Sequence, residues 1–342
     1  MMVIILNQQV TDAQKKHVLD TVLEAGATPY PAGPTTVVVP GNHAALTEKL
    51  ASMPSVVQVV PIKSPYPLAS REFHPEDTVI DIRGHIIGGQ TPTIMAGPCS
   101  VESVEGIVEI AQAVKRLGGH LLRGGAFKPR SSPYSFQGHG EEGLKMMAIA
   151  REKTGLPIIS EVMEPDKVAL VAEYVDILQI GARNMQNYPL LREAGKSMKP
   201  VMLKRGLSGT VEEWLMSAEY ILAQGNPNVI LCERGIRTYE KATRNTMDLN
   251  AVPVVKHLSH LPIVVDPSHG VGKAAFVRPM ARAGIAAGAH GVIVEIHPNP
   301  AKALSDADQT IDFAEFGQMV REVNLISDAL SGSEKDHVLM HV

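Results

Sequence analysis

Cysteine is nearly absent. The chain has two in 342 residues, Cys99 and Cys232, which excludes a disulfide framework and points to a reducing, cytosolic setting. An excess of positive charge is missing as well. A formal net charge of -4 and a pI near 6.4 argue against a nucleic-acid or polybasic membrane surface, so any positive field has to be local to a pocket. Long apolar runs are also lacking. No stretch is long enough to cross a bilayer, and the opening MMVIILNQQ has too short an apolar run, without a basic flank, for a secretion signal. These absences lead us to expect a soluble cytoplasmic protein with no nucleic-acid or membrane partner.

What is present is enough apolar sequence for a sizeable core. At 44% hydrophobic and 20% charged over 342 residues, the chain suits one large domain plus a small one. Residues 2–6 read as a strand, 11–25 as a helix capped at Thr11 or Asp12 and stopped by Gly26, 35–39 as a strand, 43–52 as a helix and 56–60 as a strand, with room for another strand near Thr28. This is a small α+β module of ferredoxin-like pattern over 1–65. It holds no cluster of His, Cys or carboxylates that could carry catalysis. The proline-bearing stretch 66–77 reads as a linker.

A β-hairpin is expected over 78–89, turning at Arg83-Gly84. From there strand and helix alternate eight times, with strands at 93–97, 120–124, 157–162, 176–181, 199–204, 228–233, 262–266 and 291–296. The helix at 103–117 shows its period in Val104, Ile107, Val108, Ala111, Val114 and Leu117, and that at 211–224 opens with the capping box Thr210-x-x-Glu213. Eight βα units over roughly 240 residues fit a (β/α)8 barrel across 78–330; an open doubly wound sheet would more often show fewer strands and a Gly-rich dinucleotide turn. A C-terminal tail, 331–342, would follow.

In such a barrel the carboxyl ends of the strands form the active face. Reading them in order gives Cys99, Arg123 with Lys128 and Arg130, Glu161, Arg183, Lys204 with Arg205, Arg234, Asp266 with His269, and Glu295. Scattered surface charge would not respect that register. One constellation is a ligand set for a first-row divalent ion such as Mn, Fe, Co or Zn: Cys99, His269, Glu295 and an acid past the last strand, Asp306 or Asp308. The other is cationic, Arg123, Lys128, Arg183, Lys204 and Arg234, with Arg130 and Ser131 further out. Burying so many cations without anions would be costly, so they imply one or two multiply anionic substrates. Cys232 lies within strand six and reads as core.

With those residues identified, the chain resembles the 3-deoxy-D-arabino-heptulosonate 7-phosphate (DAHP) synthases of the type I beta group. The likeness runs from about 72 to 327 through AGPCSVES, LRGGAFKPRSSPYSFQG, QIGARNMQN, MLKRG, CERGIRTYEKATRNT and VDPSHG. It implies that Cys99, His269, Glu295 and Asp306 are metal ligands, that Arg123, Lys128, Arg183, Lys204 and Arg234 contact phosphoenolpyruvate, and that Arg130 and Ser131 serve erythrose 4-phosphate. Lys128, Glu161 and Asp266 are the expected catalytic groups. The implied reaction joins C3 of phosphoenolpyruvate to the aldehyde of erythrose 4-phosphate, the first step of the shikimate pathway. The rival is 3-deoxy-manno-octulosonate 8-phosphate synthase, which takes arabinose 5-phosphate; it carries Ala-Asn-Arg-Ser after the loop lysine, where this chain has Pro129-Arg130-Ser131-Ser132. The first 65 residues are similar to the group's regulatory module, so an aromatic amino acid effector, Tyr or Phe, and a homotetramer are expected.

Overall fold

The chain is organised by two side-chain periods, two residues along its strands and 3.6 along its helices. The computed structural model describes residues 1–128, 134 and 137–339, the side chains of 332–339 excepted. The first elements are β1 (Met2–Leu6), α1 (Asp12–Glu24), β2 (Tyr30–Pro31), β3 (Thr36–Val39), α2 (Ala44–Ala51) and β4 (Val56–Pro61). Their strands pair antiparallel in the order β2-β3-β1-β4. Alternation along β1 decides what each face covers. Met2, Ile4 and Leu6 pack with Val18, Val22 and Leu50 in a core private to this segment, whereas Val3 joins the cluster that surrounds the barrel.

The stretch after β4 is held against the barrel. Tyr66, Leu68 and Ala69 are buried in the same outer cluster. The backbone N–H groups of Leu68 and Ala69 donate to the Glu219 carboxylate at 2.9–3.0 Å, and the Leu68 carbonyl accepts from His260 Nε2 at 2.8 Å. Next comes the hairpin β5 (Ile80–Ile82) and β6 (His85–Ile87). Its two turn residues, Arg83 and Gly84, have φ of 53° and 88°, the pair of positive values that a type I′ turn requires.

Eight parallel strands close the barrel: β7 (Thr93–Gly97), β8 (Leu121–Arg123), β9 (Ile158–Glu161), β10 (Ile177–Ile180), β11 (Val201–Lys204), β12 (Val229–Glu233), β13 (Ile263–Val265) and β14 (Gly291–Glu295). Each lies inside the span read from the sequence. Around them run α3 (Val104–Arg116), α4 (Glu141–Thr154), α5 (Val168–Tyr174), α6 (Tyr188–Lys196), α7 (Val211–Leu222), α8 (Ala251–Leu258), α9 (Pro267–Val271), α10 (Ala274–Ala286) and α11 (Phe313–Leu339). The last helix continues past residue 330, where a tail was expected, because no proline interrupts it. No helix among the described residues is long and apolar enough to cross a membrane.

Strand alternation splits the apolar residues into two layers. Ile94, Leu122, Ile158, Leu178, Leu203, Leu231, Val265 and Val294 face the helices. Met95, Leu121, Ile159, Ile177, Met202, Ile230, Val264 and Ile293, one from each strand, form an inner layer with Ile80, Ile82 and Ile87 of the hairpin. The hairpin therefore plugs the floor of the barrel, and anything polar inside has to lie above that layer.

Candidate active site

Two residues beyond each inner-layer position come Gly97, Arg123, Glu161, Gln179, Lys204, Cys232, Asp266 and Glu295. A period of two turns these side chains into the barrel just above the apolar floor. Cys232 stays with the apolar cluster, as expected of a core thiol. Gly97 has no side chain to offer, and the chain passes on to Cys99. Of the other six in this ring, Arg123, Glu161, Gln179 and Lys204 line a cavity of about 230 Å3, and Asp266 and Glu295 lie behind its wall.

Arg123, Lys128, Arg183, Lys204 and Arg234 all line that cavity, with Glu161, Gln179, Arg244, His269 and Asp306. The five cations inferred from the sequence thus converge, although they come from four different strand ends and the loops that follow them. Arg130 and Ser131 lie outside the described residues. Gly181 also lines the cavity, and a Cβ there would fall 2.0 Å from Glu161 Oε1, so the glycine makes room for the carboxylate.

The anionic side of the ring is paired residue by residue. Asp266, 1% exposed, takes Lys204 Nζ at 2.5 Å and His269 Nδ1 at 2.8 Å on Oδ2, while its Oδ1 accepts the His269 backbone N–H at 3.0 Å. Burial alone would raise its pKa, but His269 and Lys204 hold this carboxyl well below the usual range. Asp266 does not line the cavity; it lies beneath Lys204 and His269 and fixes both. With Nδ1 engaged there, the His269 ring presents Nε2 at 3.6 Å from Glu295 Oε1.

Glu295 is a second buried hub. Its Oε1 takes Arg123 NH1 at 3.1 Å, and its Oε2 takes Gln309 Nε2 at 2.6 Å. Gln309 in turn accepts from Arg244 NH1 at 2.7 Å, and Arg244 NH1 is 3.4 Å from Asp306 Oδ1. Across from these, Cys99 Sγ is 3.0 Å from Asp306 Oδ2, and Lys128 Nζ donates to both the sulfur and the carbonyl of Cys99 at 2.9 Å. Ligand atoms of Cys99, Glu295 and Asp306 lie within 4.8 Å of one another. Burial, with Glu295 beside it, pushes the Cys99 thiol up to about 12 even against the pull of Lys128, so a thiolate in this place needs more positive charge than Lys128 supplies. Asp306 has φ 53° and ψ 37°, a left-handed conformation that Asp tolerates better than most residues.

Of the two acids open from spacing, Asp306 reaches the cluster, and Asp308 lines a separate cleft with Lys241 and Lys273. Arg205 turns away from the cavity to Glu233 and Asp248 at 2.9 and 2.8 Å. His297 meets the Asn299 carbonyl at 2.7 Å and Glu102 at 3.8 Å. Sequence reading missed Gln179, Arg244 and Gln309. Gln179 was recoverable, being two residues past Ile177 on the inward face of its strand. Arg244 and Gln309 sit in aperiodic loops and left no such signal.

The sequence matches the DAHP synthetase I family over residues 74–329. It is 54% identical over 293 residues to a phospho-2-dehydro-3-deoxyheptonate aldolase of Thermotoga maritima, covering 86% of this chain and 87% of the relative. A crystal structure of the phospho-2-dehydro-3-deoxyheptonate aldolase (DAHP synthase) from Thermotoga maritima superposes with a TM-score of 0.78 at 49% identity, covering 96% of this chain and 98% of the other. A 2-dehydro-3-deoxyphosphooctonate aldolase of Magnetococcus marinus is 30% identical over 68% of this chain and 87% of its own length.

Proposed function

The chain belongs to the DAHP synthetase I family, and from that premise we propose how its polar ring carries out the family's condensation. The activity is the joining of phosphoenolpyruvate to D-erythrose 4-phosphate, which gives DAHP and phosphate and opens the shikimate pathway. The observation that carries the reading of the site is that five cations share one cavity of about 230 Å3, whose lining residue Asp306 belongs to a cluster with Cys99 and Glu295.

Arg183, Lys204 and Arg234 hold the phosphate of phosphoenolpyruvate, and Arg123 and Lys128 hold its carboxylate. Guanidinium forks suit both groups, and fixing both ends leaves C3 free to face the aldehyde. Arg130 and Ser131 take the phosphate of the aldose. Asp266 holds Lys204 Nζ and the His269 ring each in one orientation and is a positioning group. Glu161 and Lys128 are the candidates to move protons as C3 attacks the aldehyde and water adds at C2 before phosphate departs by C–O cleavage.

Cys99, Glu295 and Asp306 fit a divalent ion, since burial and the two carboxylates hold the thiol up at about 12 even with Lys128 Nζ at 2.9 Å, so its thiolate calls for more positive charge than Lys128 supplies. His269 is the fourth ligand of the set, and the mixed S, N and O donors suit Mn, Fe, Co or Zn. Such an ion, when bound, polarises the aldehyde oxygen as a Lewis acid.

The assay is phosphate release from phosphoenolpyruvate with erythrose 4-phosphate or with arabinose 5-phosphate, with and without a chelator. Turnover with the four-carbon aldose that stops on chelation supports the reading. Preference for arabinose 5-phosphate, or full turnover after exhaustive chelation, overturns it.

The N-terminal segment, whose βαββαβ order is that of ferredoxin-like folds, serves regulation in this proposal, with Tyr or Phe as effector of a cytoplasmic homotetramer. Deleting residues 1–61, which spares the buried Tyr66, Leu68 and Ala69, should leave an active barrel that has lost inhibition by the amino acid. Equal inhibition of the full-length and shortened proteins would count against it, and sedimentation of the full chain checks the tetramer.

A further inference from the structure

Beside the main cavity lies a smaller one of about 140 Å3. Arg183, Arg234 and Arg244 line both. The smaller alone is lined by Arg237, with Leu207 and Asn245. We propose that this side cavity is a second anion subsite, which receives inorganic phosphate as it leaves the reaction cavity and for which Arg237 is the dedicated cation. The inference rests on the reading given under Proposed function and extends it to a residue outside the substrate set.

Local structure places Arg237 firmly. The loop after β12 folds back on itself through a bridge between Ile236 and Thr246, with both N–H···O bonds at 2.9 Å. The Arg237 backbone N–H donates to the Leu207 carbonyl at 2.7 Å, which ties this loop to the one after β11. On the far wall Asn245, 6% exposed, donates Nδ2 to the His269 carbonyl at 3.0 Å. The walls of the side cavity are therefore backbone-braced, while the Arg237 side chain itself remains exposed.

Charge supplies the second argument. Among the described residues no carboxylate is within ion-pair distance of Arg183, Arg234 or Arg237, and Arg234 NH1 reaches only the Gly235 carbonyl at 3.5 Å. Arg244 is the one partnered guanidinium of the four, through Asp306 and Gln309. Arg234 is buried while Arg183, Arg237 and Arg244 are exposed around it; like charges gathered at one cavity repel one another, and a small multiply charged anion relieves that repulsion best. A tetrahedral phosphate offers several oxygens to several planar forks at once.

The position of the cavity decides which anion. C–O cleavage frees phosphate against Arg183, Lys204 and Arg234. Lys204 lines only the main cavity and is bound to Asp266. A phosphate that moves sideways keeps Arg183 and Arg234 and exchanges Lys204 for Arg237. It can thus depart without crossing the sugar product that still occupies the main cavity.

The test is calorimetric titration of inorganic phosphate into the full-length, metal-loaded enzyme, free and saturated with phosphoenolpyruvate, comparing wild type with Arg237→Ala and Arg237→Lys. Wild type saturated with phosphoenolpyruvate should still bind phosphate. Arg237→Ala should weaken that binding about ten-fold or more, the scale of one lost charge-assisted contact, and leave phosphoenolpyruvate affinity unchanged, with partial recovery in Arg237→Lys. Complete displacement of phosphate by phosphoenolpyruvate in the wild type, or unchanged phosphate binding in Arg237→Ala, overturns the subsite. A raised KM for erythrose 4-phosphate with unaltered phosphate affinity would likewise overturn it, by assigning the cavity to the aldose. If phosphoenolpyruvate itself fails to bind, the reading of the main cavity falls, and the loss or retention of phosphate binding by free Arg237→Ala still decides the subsite.

Discussion

The two ends of this barrel solve the same problem in opposite ways. At the upper end, buried polar groups are ions: Lys204 with Asp266, Arg123 with Glu295, and Lys128 against Cys99. At the lower end, histidines stand just ahead of β8 and β14 and three residues ahead of β13, His120, His290 and His260, and burial favours their neutral form. That end also holds an ion-paired acid, Asp176, which meets Arg83 and Arg151. His120 Nδ1 accepts the Ile94 backbone N–H at 2.9 Å, and His290 Nδ1 accepts that of Ile263 at 3.1 Å. His260 meets the Leu68 carbonyl through Nε2 and the Thr78 hydroxyl through Nδ1, so Nε2 carries the proton and Nδ1 accepts one. The lower end spends its polar atoms on the fold. The upper end keeps an excess of cations over the carboxylates near them, a luxury that only a bound anion makes sensible.

The largest expected effect tests whether the upper end can lose chemistry without losing the fold. Cys99→Ala removes one member of the Cys99, Glu295 and Asp306 cluster, and turnover should fall on the order of 10³-fold, since a positioned divalent ion contributes several kcal/mol to a transition state. The thermal midpoint should stay within a few degrees of wild type. A matching collapse in the midpoint would mean that this end is structural after all.

Next in size is Asp266→Asn. It leaves Lys204, 4% exposed, without its counter-charge, and breaking a buried pair from one side costs about 3–5 kcal/mol. Denaturant unfolding measures this. The double change Lys204→Met with Asp266→Leu should recover most of the stability and none of the turnover. If the double variant is as unstable as the single one, the pair contributes to the fold itself and the contrast between the ends weakens.

The lower end should respond to acid. Burial holds His260 and His290 down to about 4, so in the folded state they stay neutral below the pKa of about 6.5 that they have when unfolded. A depressed folded pKa contributes stability above the unfolded value, and that contribution is lost as pH falls from about 6.5 to about 4. Each imidazole should forfeit on the order of 3 kcal/mol across that window. Thermal midpoints recorded from pH 7 to 4.5 check this, and His290→Gln should flatten the slope. An unchanged slope would show that acid unfolding starts elsewhere.

These contrasts also explain what the sequence disclosed. The eight strands were legible because each carries an inner and an outer apolar residue in alternation, and the site was legible wherever a functional side chain continues that alternation, as Arg123, Glu161, Lys204, Asp266 and Glu295 do. Arg244 and Gln309 have no period around them, and only folding brings Gln309 within 2.6 Å of Glu295. Nothing in the local pattern marks the histidines of the lower end, because His120 and His290 satisfy backbone groups on a neighbouring strand and His260 meets Leu68 and Thr78. The stretch around Leu68, read as linker from its prolines, is pinned by Glu219, a contact separated by about 150 residues that no local pattern announces.

Glu219 gives the smallest effect and the finest test of how the lower end treats a buried acid without the counter-ions that Asp176 has. Its carboxyl has backbone N–H donors from Leu68 and Ala69 but, among the described residues, no ion-pair partner, and burial raises it to about 7. A raised folded pKa contributes stability that is complete below the unfolded value near 4.5 and is lost as pH rises through about 7. Between about 4.5 and 6.5 its slope therefore opposes that of the histidines, and the two partly cancel. In Glu219→Gln the single amide oxygen can take the place of Oε2, which already receives both N–H groups at 3.0 Å, so the contact survives while the titration does not. The variant should melt about 1–3 °C higher than wild type at pH 8, match it near pH 5, and fall more steeply in between because the histidine slope is no longer offset. A variant less stable than wild type at pH 8 would mean that the ionised carboxylate stabilises this contact without a counter-ion.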